Sequence, residues 1–240
     1  MLSSASHGSD SRANAVPSPL QRLRRLSPRD LFLYLSTYGE ARRIAGRIDP
    51  AAIAELDRRF GKADPAPGYS KYLDVPYWIH AKLRRVHALG LNGPPRRRIL
   101  DLGTGTGYFP YLAKLYGNDA VGLDMAGNDF YDAMLALLGV ERHAWTITPY
   151  TKLPELGRFD LVTAFQICFD QMQDAGAWGV PEWDFFRRDV ADHLLAPGGR
   201  MVLELNVPPS PAVARYFAES GATVRGLVIS STGSRPEPHR

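Results

Sequence analysis

An α/β fold built on a doubly wound, mostly parallel sheet is what this 240-residue sequence predicts, on three observations. From Arg98 onward, short apolar runs alternate with helix-like stretches, the pattern of strand–helix–strand crossovers that cover a parallel sheet on both faces. The first of these runs ends in three glycines at alternate positions, Gly103, Gly105 and Gly107, and then opens into helix-like sequence at Tyr108. Acidic residues stand at the ends of the first two runs, Asp101 beside the glycines and Asp124 21 residues beyond Gly103. Over residues 27–92 the pattern is helical, which adds an N-terminal helical cap to the sheet.

Composition bounds what such a fold does here. Hydrophobic content of 45% and charged content of 22% are ordinary for a globular chain able to bury a sizeable core. The net charge of +4 is uneven: residues 1–30 hold five Arg and two Asp, so the remainder is close to neutral. A near-neutral body argues against a broad phosphate-tracking surface, and nucleic acid is not the expected partner. The single cysteine, Cys168, precludes an internal disulfide and fits a reducing compartment, so a cytoplasmic location is expected. No apolar run reaches the roughly 18–20 residues of a membrane span. No metal site is expected.

Residues 1–26 are rich in Ser, Ala and Arg without a periodic apolar face, and a disordered basic segment is expected there. Two readings of it stand: a transit-peptide-like composition, or an arginine-rich terminus in a chain where Arg supplies 24 of 29 basic residues. Residues 27–92 are expected to form the cap in three helices. The first follows Ser27-Pro28, the second starts at Asp49-Pro50 and stops at Gly61, and the third runs from Asp74 and Pro76 to Gly90. A loop is expected over 62–71.

Residues 93–230 carry the sheet. Strands are expected at 98–102, 119–123, near 143–147, 159–165, 201–205 and near 222–229, with helices from Tyr108 and over 128–138, 181–195 and 211–219. Residues 231–240 read as a tail. Only one strand is evident after 220, so the sheet has six strands unless a short one is concealed there.

In a doubly wound sheet the ligand lies at the carboxyl ends of the strands, where the topology reverses. A strand that stops at a glycine turn and feeds a helix aims backbone N–H groups at a polar ligand. Asp124, placed beside that turn, can accept hydrogen bonds from both hydroxyls of a ribose, which implies a nucleoside-like ligand. A dinucleotide fingerprint would need glycine at position 108, where Tyr108 stands, and the third glycine comes one residue early. Asp101 would also repel a pyrophosphate, whereas it suits a ligand end bearing an ammonium and a sulfonium.

The run Ile99-Leu100-Asp101-Leu102-Gly103-Thr104-Gly105-Thr106-Gly107 resembles the first motif of class I S-adenosylmethionine-dependent methyltransferases. The likeness continues through Val121-Gly122-Leu123-Asp124, Gly157-Arg158-Phe159-Asp160-Leu161-Val162 and Leu194-Leu195-Ala196-Pro197-Gly198-Gly199. This resemblance implies a Rossmann-like methyltransferase fold and S-adenosylmethionine as cofactor. It implies that Gly103, Gly105 and Gly107 line the methionine part, Asp101 supports the amino end, Asp124 holds the ribose and Met125 packs on the adenine. The family often carries an acidic residue after strand 3 and a terminal antiparallel hairpin. Thr148-Pro149-Tyr150-Thr151 has no acid, and the hairpin is not evident.

The acceptor is expected beyond strand 4, over Phe165-Gln166-Ile167-Cys168-Phe169-Asp170. Gln166 and Asp170 are candidate acceptor contacts, the alternative for Asp170 being a solvated loop carboxylate. Cys168, His80 and His193 are read as structural, and Asn206-Val207-Pro208-Pro209 as a strand-ending turn. Tyr69, Tyr72, Tyr77 and Trp78 form an aromatic cluster that serves either as packing of the cap or as a lid, with Tyr72 a candidate acceptor contact. The resulting expectation is a methyltransferase acting on a small-molecule acceptor at oxygen. The alternatives are an RNA- or protein-directed methyltransferase, a non-catalytic S-adenosylmethionine-binding protein, or another transferase using the same cofactor.

Overall fold

The computed structural model describes residues 28–61, 68–167, 169–171 and 177–232. The expectations for residues 1–26, for Cys168 and for the tail beyond Thr232 lie outside the described residues. The chain begins with α1 (Pro28–Ala45) and α2 (Pro50–Phe60), then a 3-10 turn (Tyr69–Leu73) and α3 (Val75–Ala88). The expected start signals act as such. Asp49 caps α2 by accepting from the Ala51 N–H at 2.8 Å, and Asp74 caps α3 by accepting from the Tyr77 N–H at 3.2 Å. The 3-10 turn lies where the sequence pointed to plain loop; Tyr69 and Tyr72 pack on the core and wind the chain there.

Strands and helices then alternate: β1 (Arg98–Leu102), α4 (Tyr108–Leu115), β2 (Asp119–Asp124), α5 (Asp129–Leu138), β3 (Arg142–Ala144) and β4 (Phe159–Ile167). They continue with α6 (Val180–Asp189), β5 (Leu195–Leu205), α7 (Pro211–Glu219), β6 (Thr223–Arg225) and β7 (Val228–Thr232). The seven strands form one sheet in the order β3-β2-β1-β4-β5-β7-β6, parallel except for β7, which pairs antiparallel with β5 and with β6. This is the doubly wound, Rossmann-like α/β fold, and its topology reverses between β1 and β4.

The single late strand of the sequence reading is in fact a hairpin. Gly226, at φ 59°, breaks the segment into β6 and β7, and the second strand runs two residues into the expected tail. The sheet therefore has seven strands, with the terminal antiparallel hairpin that the resemblance implies. β5 also begins earlier than expected, at Leu195. Its Pro197-Gly198-Gly199 stretch is accommodated by an irregularity in the β4–β5 pairing. β3 is only three residues long, as its low apolar content allows.

Side-chain alternation along the strands splits the core in two. Ile99, Leu161, Phe165 and Val202 face α3, α4 and α5, while Leu100, Val162, Ile167 and Leu203 face α6 and α7. Ile79, Leu83 and Val86 recur at helical spacing and are fully buried, which fixes α3 against the first face. Burial of each such side chain stabilises by roughly 1.5–3 kcal/mol. Among the described residues no helix is long and apolar enough to cross a membrane.

Candidate active site

The site forms where β1 and β2 end. Asp101 is buried on the face that carries α3, and both of its oxygens are held by hydroxyls. Thr163 Oγ1 of β4 donates to Oδ1 at 2.7 Å, and Thr104 Oγ1 of the glycine loop donates to Oδ2 at 3.0 Å. Burial raises its pKa to about 6, while Thr163, the Lys82 ammonium and Thr104 pull it back down. A carboxylate held this way is a ready partner for a cation.

The glycine loop is anchored by the Gly103 N–H, which donates to the Leu123 carbonyl at 2.7 Å. The three glycines do different things. Gly103 has φ 65°, and a side chain there would meet nothing within 4 Å, so the backbone itself is presented to the site. At Gly107 a Cβ would come within 2.6 Å of Leu135, so this glycine permits α4 to close on α5. At Gly105 the neighbour is the Tyr131 ring, at 4.0 Å from a built Cβ.

Asp124 lies across the loop from Asp101. Its Oδ2 accepts from the Gly105 N–H at 2.6 Å and its Oδ1 from the Met125 N–H at 2.8 Å, leaving further lone pairs on both oxygens. Burial raises its pKa, opposed by those two N–H groups and by Arg142. Met125 is 40% exposed at the rim, where its carbonyl accepts from Arg142 at 3.3 Å.

The N-terminal helices complete the wall. Tyr72 lies edge-on to Tyr131, with ring centroids 5.9 Å apart, and tilted against Trp78 at 5.2 Å. Its carbonyl accepts from the Tyr108 hydroxyl at 2.9 Å, which ties the 3-10 turn to the start of α4. Tyr69 instead stacks on Phe130 at 4.6 Å, as core. Tyr131 raises its hydroxyl pKa through burial and its closeness to Tyr72, and Asp124 adds to the shift.

From α3, Lys82 reaches the end of β4. Its Nζ is 3.4 Å from Gln166 Oε1, 5.6 Å from the Trp78 ring centre and 5.8 Å from that of Phe165. Arg85, one turn on, is committed to Glu204 of β5 through two bonds of 2.9 and 2.5 Å. Gln166 is a non-glycine residue at φ 59°, a left-handed conformation that side chains disfavour. It marks an irregularity in the β4–β5 register, which Asn206 stabilises by donating to the carbonyls of Gln166 at 3.1 Å and Ile167 at 2.8 Å.

The structure thus brings Asp101, Gly103, Gly105 and Asp124 to one place, with Tyr72 and Gln166 bordering it. Asp170 follows β4 in a 3-10 turn (Phe169–Gln171). It is 3% exposed, so it is no solvated loop carboxylate, and its carbonyl accepts from the Trp178 N–H at 2.8 Å. Its neighbours Phe169 and Trp178 pack with Trp183 and Phe186 on the α6 side of the sheet, which draws the turn inward. His80 bonds the Tyr34 carbonyl and Thr37, and His193 bonds buried Asp189, so both histidines are structural. Arg96 and Arg98 lie at the opposite end of the sheet, bonded to the carbonyls of Tyr116, Arg158 and Leu156.

Sequence reasoning missed Lys82 and Asn206. The signal for Lys82 was faint: it is one of five lysines among 29 basic residues, placed four residues after Trp78 on the inner face of a helix. Asn206 was noticed only as part of a turn. Among the described residues no cluster of side chains is disposed to hold a metal ion.

No protein-family model and no curated protein matches the chain. Solved structures do. A ribosomal protein L11 methylase from Lactobacillus delbrueckii subsp. bulgaricus is 17% identical, with 64% of this chain and 78% of that one aligned at a TM-score of 0.43. An amino pentose methyltransferase from Micromonospora echinaspora, solved with S-adenosylmethionine bound, is 28% identical over 53% of this chain and 50% of that one, at 0.38. An S-adenosylmethionine-dependent methyltransferase from Mesorhizobium loti is 26% identical over 51% and 53%, at 0.35. The chain spans about half the length of the latter two.

Proposed function

We propose that this chain is an S-adenosylmethionine-dependent methyltransferase acting on a small-molecule acceptor at oxygen. The observation that carries this reading is the pair of carboxylates, buried Asp101 and half-buried Asp124, on either side of the bare Gly103 backbone at the sheet's reversal point. The donor set fits the cofactor's chemistry: Asp101 suits an ammonium, the free lone pairs of Asp124 suit a ribose diol, and Gly103 offers backbone without a side chain. Gly105 and Met125 complete the set at the loop and the rim, and Gly107 contributes by letting the helix pack. When bound, the cofactor supplies a methyl carbon activated by a sulfonium. The chain's own part is to align an acceptor, exclude water and accept a proton.

A small acceptor is favoured because aromatic side chains of the N-terminal helices, Tyr72 and Trp78, border the site closely. Arg96 and Arg98 are engaged with backbone carbonyls at the far end of the sheet. Calorimetric titration with S-adenosylmethionine tests the central claim; binding should be seen, and Asp124→Ala should weaken it by about 1–3 kcal/mol, the value of hydrogen bonds to a charged group. Absence of any binding heat from the unaltered protein would remove the reading. Deleting residues 1–26 addresses the RNA- or protein-directed alternative, since only that alternative has the basic segment contribute to acceptor affinity.

A further inference from the structure

Lys82 is chemically out of place in the wall it completes. It is flanked by the flat apolar faces of Trp78 and Phe165, and its amine has a long contact to Gln166. The charged groups around it come from three elements: Arg85 on α3 itself, Asp101 on β1 and Glu204 on β5. Arg85 and Glu204 are paired with each other, and Asp101 is bonded to Thr163 and Thr104. The lysine therefore has no dedicated partner of the kind Arg85 has, and it points to the end of β4, where the acceptor is expected. A ligand matched to these surroundings has a planar apolar body and one polar atom facing the amine.

We propose that Lys82 receives an aromatic hydroxyl, taking its proton and holding the resulting oxyanion, so that the acceptor is a phenol-like compound. This rests on the methyl-transfer reading above. Burial, reinforced by Arg85, lowers the Lys82 ammonium to about 7, with Asp101 and Glu204 opposing. An amine with that value is present in both forms near neutrality, which is what a general base requires. Lysine does this where arginine could not, because the guanidinium does not release its proton. In the transfer the acceptor's O–H bond breaks and its proton passes to the Lys82 nitrogen. The freed oxygen pair forms the new O–C bond to the donated methyl, and the electrons of the broken S–C bond stay on sulfur. The Lys82 proton is lost to solvent when product leaves.

The test uses the full chain with 4-nitrophenol, whose anion is yellow, in the presence of S-adenosylhomocysteine at about pH 6, where the lysine is largely protonated. The protein should turn the bound phenol yellow, lowering its apparent pKa by about one unit or more, a tenfold shift in the ionisation equilibrium. Lys82→Met should abolish the shift. Lys82→Arg should keep it, as a fixed cation, yet slow methyl transfer to unsubstituted phenol by about a hundredfold or more for want of a base. Calorimetry with S-adenosylmethionine on the same samples separates the two readings. Cofactor binding without a colour change, an unchanged shift in Lys82→Met, or wild-type transfer to phenol by Lys82→Arg would overturn the assignment and leave the methyl-transfer reading standing. Failure of the unaltered protein to bind the cofactor would end both.

Discussion

Asp101 carries two demands that pull in opposite directions. Its burial favours the neutral acid, with a pKa raised from 3.8 to about 6, and the proposed cofactor needs the anion. Between those two values the folded chain holds a proton that the unfolded chain has released, so stability falls as pH rises from 3.8 to about 6 and the full cost of an ionised Asp101 stands above that. A cation bound beside it recovers that cost. Affinity for S-adenosylmethionine should therefore fall by about tenfold between roughly pH 7 and pH 5, the equivalent of one pKa unit, as titration calorimetry at the two values would register. Asp101→Asn should flatten the dependence. Gln166 presents the same conflict in its backbone. Its left-handed φ costs roughly 1 kcal/mol in a side-chain-bearing residue. Gln166→Gly should raise stability in urea unfolding by up to about 1 kcal/mol while lowering methyl transfer, whereas Gln166→Ala should bring no such gain. Stabilisation by Gln166→Ala equal to that by glycine would show that the amide, and not the backbone, carries the strain.

At the scale of elements, β4 and β5 with α3 lying over them determine where Lys82 ends up. The Arg85–Glu204 pair holds α3 to β5 with side chains about one-fifth exposed, 19% and 23%. Glu204→Ala leaves Arg85 partly buried without its partner and should cost about 1–3 kcal/mol, between the values for surface and buried pairs. The same variant should also disturb Lys82, and a change in the 4-nitrophenol shift would register that. These elements were only partly legible from the chain. The starts of α2 and α3 could be placed from Asp49 and Asp74, because a capping side chain acts within three residues of where it stands. The β6–β7 hairpin was concealed because Gly226 interrupts a segment too short and too mixed in polarity to show two strands. The crossing of α3 over β4 could not be seen at all: Lys82 and Gln166 are 84 positions apart, and nothing local encodes their meeting.

For the molecule as a whole, the question is whether the N-terminal helices are an appendage or a layer of the fold. Leu83 and Val86 of α3 are fully buried in the same core as Ile99 of β1 and Leu112 of α4. Asn118, at the entry to β2, is tied to the same region, its amide donating to the carbonyls of Leu91 and Ala113 at 2.9 Å each. A face of the sheet stripped of α3 would expose these apolar side chains, so the helices and the sheet are expected to fold as one cooperative unit. The sequence distinguished a helical segment from an alternating one correctly, because periodicity is local. It could not show that α3 belongs to the sheet's own layer, since that depends on which face the helix meets. The test is Leu83→Ala. Loss of this side chain should cost about 2–5 kcal/mol, the range for large-to-small changes in a packed core. If the unit is single, that loss should lower one transition seen alike by calorimetry and circular dichroism, and hydrogen exchange should accelerate equally at Leu100 and Val162 in the sheet. Independent melting of the helices, with those strand amides still protected, would instead mark α1 to α3 as a separable cap. The wall formed by Tyr72, Trp78 and Lys82 would then be able to move away from Asp101 without unfolding the sheet.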